Sequence, residues 1–193
     1  TQKREKPLGM ERYATPKIGA PAARVGVAGI LRRGAPGDPG DGAILMGRRR
    51  GSHGAGTWSF TGGKLGFLEG IGVCASRELH EETGLMLHPE AWVSFGYTND
   101  VFPGGKNPLC TQCREVGVLP CVFCGARPEP LHYVTLYALA RFGSRWGSPR
   151  VMEPDKLSEW RWFLEPPPYE ELFLPVQNLL DSGMDPWAER ERP

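Results

Sequence analysis

Three carboxylates and one guanidinium stand close together in the run Arg77-Glu78-Leu79-His80-Glu81-Glu82. On a helix, Glu78 lies three residues from Glu81 and four from Glu82, so the three acids share one face. Like charges at that spacing repel by roughly a few tenths of a kcal/mol per pair. The run also sits at the end of its segment, just before Gly84, where a helix dipole disfavours anions. A surface helix gains nothing from this pattern, whereas a bound divalent cation reverses the sign of each of these effects. Magnesium takes carboxylate oxygens and keeps water and substrate phosphate in its shell. Arg77 can pair with a neighbouring carboxylate such as Glu81, one turn on, and fix its direction. Taken by itself, the run also has a plain reading as a solvated acidic face.

Such residues need elements to hold them. From Gly70 to Thr83 the residues are helix-compatible, and Ile71, Cys74, Ala75 and Leu79 fall at spacings that make an apolar face. Gly84 follows at the position of a helix C-cap. Ahead of it, RRGSHGAGTWSFTGGKLGFLEG is dense in glycine, so the backbone must turn sharply or approach something closely. Arg24 to Leu31 and the later AILMGRR read as two strands of a hairpin, joined by a Gly/Pro/Asp loop from Gly34 to Gly42. Trp92 to Phe102, His132 to Phe142 and Glu159 to Leu164 read as further strands, and Tyr169 to Ser182 as a second helix ended by Gly183. The order strands, loop, helix, strands, helix implies an α+β fold with a mixed sheet, not a repeating βαβ chain.

Composition narrows the class. The 193 residues suit one domain with room for a tail or an insert, and 40% of them are hydrophobic, enough for a core. With 23 Lys+Arg against 22 Asp+Glu the net charge is +1, which gives no strong field for a long nucleic acid or an anionic membrane. An anionic substrate must therefore be held by a local site. No apolar run approaches the length of a membrane span. Residues 1–23 read as a flexible arm without a hydrophobic signal core, and residues 188–193 as a tail. The chain opens on Thr1, so its true start is expected upstream or at Met10. Five cysteines, an odd number without a signal peptide, point to a reducing compartment and a cytoplasmic protein; a transit-peptide remnant in the arm is the alternative.

The wider spacing carries a resemblance. Gly63, five residues, Glu69, seven residues, Arg77-Glu78, two residues, Glu81-Glu82, one residue, Gly84 and an aliphatic Leu85 fill every fixed position of the Nudix signature. The chain thus resembles the Nudix hydrolases over residues 24–187, and the resemblance implies an α/β/α sandwich around a mixed sheet. It implies that Glu78, Glu81 and Glu82 coordinate Mg²⁺, which Mn²⁺ can replace, and that the Gly62 carbonyl adds a ligand. Arg77 would orient a glutamate, and Glu69 would support the loop or a metal-bound water. Stretches such as GRRRGSHGAGTW, YTNDVF, HYVTLY and SGMDPW resemble one branch, the small cytosolic (d)NTP pyrophosphatases, which include enzymes acting on oxidised guanine nucleotides or dCTP, are often dimeric, and have a prenyl diphosphate hydrolase among the plant members. Within it the basic run Arg48 to Arg50 suits phosphate, with Arg48 as the candidate contact. Gly63 and Lys64 are further phosphate candidates, and Thr135 and Phe173 match positions of the base pocket.

The chain departs from the pattern in places. Thr61 replaces a common proline, and Gly66 and Leu68 replace the usual Glu and Gly of the loop. Leu68 stands where a flexible residue is expected, and the missing acid at 66 is expected to weaken the metal site. Between about residues 103 and 130 the chain carries an insert in which Cys110, Cys113, Cys121 and Cys124 form two C-x₂-C pairs seven residues apart. Four thiolates suit structural Zn²⁺, but the spacer is shorter than usual; a disordered insert or non-native sequence is the other reading. The expected activity is Mg²⁺-dependent hydrolysis of a (deoxy)nucleoside triphosphate to monophosphate and pyrophosphate, with nucleotide-pool sanitation as its role. The alternatives are another X-linked diphosphate (nucleotide sugar, dinucleoside polyphosphate or prenyl diphosphate) or a weakly active nucleotide-binding module.

Overall fold

The computed structural model describes residues 22–34, 40–50, 53–104, 130–143 and 147–188. The arm up to residue 21, the four cysteines of the insert and the tail beyond 188 lie outside the described residues. The elements in chain order are β1 (Arg24–Arg33), β2 (Ile44–Arg49), β3 (Trp58–Ser59), β4 (Thr61–Lys64), α1 (Ile71–Thr83), β5 (Val93–Phe102), β6 (Leu131–Phe142), β7 (Leu157–Phe163) and α2 (Leu174–Asp181). Short 3₁₀ turns stand at Pro89–Ala91 and Tyr169–Glu171.

The strands form one mixed sheet. β1 runs parallel to β6, with Gly26 opposite Thr135 and Ile30 opposite Leu139. β6 is antiparallel to β5, which ends the sheet on that side. The other edge of β1 is shared: β4 takes Gly26 to Gly29, and β2 takes Arg32. The expected β1–β2 hairpin therefore exists only at its turn end, where Arg32 faces Ile44. Beyond it β2 leaves β1 and pairs with β7 from Ile44 to Arg49.

Alternation along the strands builds two cores. Val27 and Leu31 of β1, with Ala138, Ala140 and Phe142 of β6, pack against Cys74, Ala75 and Leu79 of α1. Ile30 of β1, with Tyr137 and Leu139 of β6, packs against Val176 and Leu179 of α2. A helix thus covers each face of the sheet, the expected sandwich. Truncating a fully buried anchor such as Leu79 to alanine removes about 2–5 kcal/mol.

Two expectations are corrected. The glycine-rich stretch before α1 contains β3 and β4, because its backbone pairs with β2 and β1 whatever its side chains are. The last helix is also shorter than expected. Phe173 is extended (φ −64°, ψ 140°) and its N–H donates to the Trp58 carbonyl at 2.9 Å, so helix can begin only at Leu174, with a proline in its first turn.

Candidate active site

The segment Thr61–Lys64 separates two chemically unlike surfaces. On one side lies α1. Its Glu78 carboxylate rests directly on Gly63, where any Cβ would sit 2.1 Å from Glu78 Oε1. Glu82 Oε2 accepts the Gly62 N–H at 3.2 Å. Gly62 has φ 155°, and a side chain there would strike the Val27 carbonyl, so Gly62 is required sterically, whereas a side chain at Gly63 would displace the Glu78 carboxylate.

Arg77 organises the acids. Its Nε and Nη2 grip the two oxygens of Glu69 at 2.8 and 3.0 Å, while Nη1 reaches Glu78 Oε1 at 2.6 Å and Glu81 Oε2 at 3.2 Å. The main partner of Arg77 is thus Glu69, eight residues back across the loop, with Glu81 a longer contact. Glu69 also accepts the Gly66 N–H at 2.8 Å. Arg77 and that N–H together hold its carboxyl down at about 2. With both oxygens engaged this way, Glu69 is a brace for the loop and not an open ligand.

Glu82 is buried and Glu78 is half-buried. Burial raises the Glu78 carboxyl despite its contact with Arg77. Glu82 is only 8% exposed, and burial, reinforced by the charge of Glu78, pushes it up to about 8. Glu81 is the open member, its side chain half exposed. Beneath them Cys74 is fully buried and its thiol is pushed up to about 12 by burial and by Glu69, which makes it packing and not a nucleophile.

On the other side of β4 lies a cavity of about 280 Å³. Five sequence candidates line it: Gly62, Gly63, Lys64, Thr135 and Phe173. Phe102 stacks on Phe173 with ring centroids 5.5 Å apart, and the His53 ring meets Phe102 edge-on at 4.4 Å. Arg48 is not among the lining residues. Its guanidinium lies over the Trp58 ring and 4.0 Å from Glu159. The lining cation from the basic run is Arg49, which lies over the Phe173 ring at 4.1 Å and donates to the His53 carbonyl at 2.9 Å. Its charge opposes that of Glu82. The β2–β7 pairing shifts register between Arg48 and Arg49, so this irregularity, and not simple alternation, decides which arginine reaches the cavity.

The profile of the NUDIX domain matches residues 22–166 of this chain. The chain belongs to the Nudix family. Among solved structures, a MutT NUDIX hydrolase from Burkholderia pseudomallei is similar at 26% identity and a TM-score of 0.52, over 77% of this chain and 90% of that one. A MutT/nudix family protein from Enterococcus faecalis shares the fold at 18% identity and a TM-score of 0.50, over 79% of this chain and 47% of that one. The protein is a Nudix hydrolase with an α+β fold. Among the described residues no helix is long and apolar enough to cross a membrane.

Nudix hydrolases generally use divalent metals. Among the described residues, no three His, Cys, Asp or Glu side chains are gathered closely enough to hold a metal as they stand, since Arg77 draws Glu78 and Glu81 towards itself. The donor chemistry nevertheless fits a hard cation. Glu82 is a buried carboxylate that accepts the Gly62 N–H, and Glu78 beside it adds repulsion that a divalent ion would remove.

Sequence reasoning passed over Asp100, which is fully buried beside the cavity wall. Its strand carried the signal: on β5 the polar Thr98 and Asp100 are buried, whereas Tyr97 and Val101 are 68% and 53% exposed, the reverse of an ordinary amphipathic strand.

Proposed function

We propose that this Nudix hydrolase converts a (deoxy)nucleoside triphosphate to the monophosphate and pyrophosphate, with Mg²⁺ as its cation and Mn²⁺ able to replace it, in nucleotide-pool sanitation. The observation that carries the reading is the junction at Gly62–Gly63, where an acidic helix and an aromatic cavity meet across a single strand. A molecule with a flat, partly apolar end and a polyphosphate end matches both surfaces at once.

Glu78, Glu81 and Glu82, with the Gly62 carbonyl, would hold the cation. When bound, it supplies Lewis-acid polarisation of phosphate oxygens and acidifies a water. Arg77 keeps Glu78 and Glu81 aligned, and Glu69 keeps Arg77 in place. Arg49 and Lys64 offer positive charge to the phosphates from the cavity side. Phe102 and Phe173 offer a ring surface to the base, and Thr135 a polar contact.

A prenyl diphosphate is the second reading, favoured by the largely apolar lining that includes Phe102, Leu131, Phe173 and Val176. A panel of nucleoside triphosphates, nucleotide sugars, dinucleoside polyphosphates and prenyl diphosphates with Mg²⁺, assayed for pyrophosphate and phosphate release, separates the two. Turnover of triphosphates is expected, with Glu81→Gln inactive. Cleavage of another class alone transfers the reading to that class, and metal binding without any turnover leaves a nucleotide-binding module. The cytoplasmic compartment and a homodimer belong to the same reading, on the sequence resemblance.

A further inference from the structure

Asp100 has no exposed surface, sits on the cavity face of β5, and has no part in the reaction just proposed. Three donors converge on it. Asn178 Nδ2 of α2 donates to Oδ1 at 2.8 Å, and Thr98 Oγ1 donates to Oδ2 at 3.0 Å, as does the Thr135 hydroxyl. Burying a carboxylate is costly even when it is well bonded, and a neutral residue could fill the space more cheaply. What a carboxylate adds is acceptance on both oxygens; an amide presents one acceptor and one donor.

The effect of that double acceptor is seen at the cavity wall. A threonine hydroxyl has one proton, and that of Thr135 is committed to Asp100. Towards the cavity Thr135 therefore presents only lone pairs. Tyr137 is in the same position, since its hydroxyl donates to the Pro175 carbonyl at 2.6 Å. Burial, with Asp100 nearby, holds that phenol above its ordinary value, so the proton stays on it. Thr61 likewise donates to the Gly29 carbonyl at 3.1 Å. Of the other lining hydroxyls, that of Tyr133 accepts from Arg24 Nη1 at 3.3 Å at the mouth end of β6.

The wall also has a direction. Lys64 lies opposite Gly26, Gly26 opposite Thr135, and Thr135 opposite Thr98, in one row across β4, β1, β6 and β5. Gly26 leaves the middle of that row open above the sheet. The row thus passes from a cation at one end to oriented acceptors at the other.

We propose that Asp100 is a positioning residue for substrate choice: by turning the Thr135 proton inward it makes the cavity wall an acceptor, so the enzyme prefers a base edge bearing N–H donors, an exocyclic amine above all, to the matching edge without them. This rests on the nucleotide reading of the cavity and names the class of base within it. Asparagine at position 100 would place an amide donor towards Thr135 and turn the threonine proton into the cavity.

The test compares matched triphosphates that differ at one edge: guanosine with inosine, cytidine with uridine, adenosine with purine riboside. Both kcat/KM and equilibrium binding are read. The wild type is expected to favour the amine-bearing member of at least one pair by about tenfold or more. Asp100→Asn should bring that ratio to within about twofold of unity or invert it. Should Asp100→Asn fail to fold, Thr135→Val, which removes the hydroxyl, should abolish the ratio, and Thr135→Ser should keep it. Equal losses for both members with the ratio intact, no preference in the wild type, or no binding of either member overturns the proposal. Discrimination in binding without turnover sustains it while overturning the hydrolytic reading.

Discussion

Arg77 and Glu69 meet in a two-point grip, Nε to Oε1 at 2.8 Å and Nη2 to Oε2 at 3.0 Å, across the loop that leads into the acidic helix. The loop and the helix are therefore one mechanical unit. This grip is the reason the Glu69 carboxyl lies at about 2, below its ordinary 4.5. A depressed folded-state value contributes stability above the unfolded value, and that contribution is lost as pH falls through the folded one. Between wild type and Glu69→Gln, the difference in urea midpoint should be full above pH 4.5 and shrink as the pH is lowered towards 2. A constant difference across that window would show that the grip is not ionic.

Glu82 has the opposite sign. Its carboxyl is raised from 4.5 to about 8, so in metal-free protein its contribution is complete below 4.5 and disappears as pH rises through 8. Thermal melts in chelator should show wild type losing stability relative to Glu82→Gln over that range, by an amount on the order of a few kcal/mol. Adding Mg²⁺ at the alkaline end should restore the wild type and leave the variant unchanged. Parallel melting curves for the two proteins at every pH would refute the buried ionisation.

Arg49 and Arg48 give a paired comparison. Arg49→Ala removes the cation that lines the cavity and should lower kcat/KM by about tenfold or more, as loss of a charge-assisted contact does. Arg48→Ala breaks a 4.0 Å surface pair and should change stability by less than about 1 kcal/mol, with kinetics near wild type. Steady-state kinetics on both variants checks the assignment, and the reverse ranking would move the phosphate contact to Arg48.

Leu68 is 90% exposed and holds φ at 61°. A left-handed conformation costs a residue with a Cβ about 1–2 kcal/mol, part of which the flexibility of glycine in the unfolded chain takes back. Leu68→Gly should therefore stabilise the protein by about 0.5–1 kcal/mol. Urea denaturation is the measurement, and a lower midpoint for the variant would contradict the strain.

What could be read from the sequence was whatever local spacing dictates. Glu78, Glu81 and Glu82 share a helix because three and four residues are nearly one turn, and Ile30, Leu139 and their neighbours show a strand's period of two. β4 was hidden because Gly62 and Gly63 have no side chains to alternate; the segment is a strand through its pairing with Gly26 to Gly29. Arg49 was hidden behind Arg48 because the β2–β7 ladder shifts register between these two residues, an irregularity that their own sequence does not mark. The late start of α2, after Phe173, depends on the bond of the Phe173 N–H to the Trp58 carbonyl, more than 100 residues away in sequence. Asp100 needed Asn178 and Thr135 brought beside it from two other elements.

The partition formed by Gly62 and Gly63 bears on how such an enzyme can change. The acids come from α1, whereas the cavity walls come from β1, β5, β6 and α2, and the two sets share little more than that glycine pair. Libraries that vary Phe102, Thr135 or Phe173 can therefore explore new cargo while the cutting apparatus is left alone. Swaps at residue 62 or 63 would damage recognition and cleavage together.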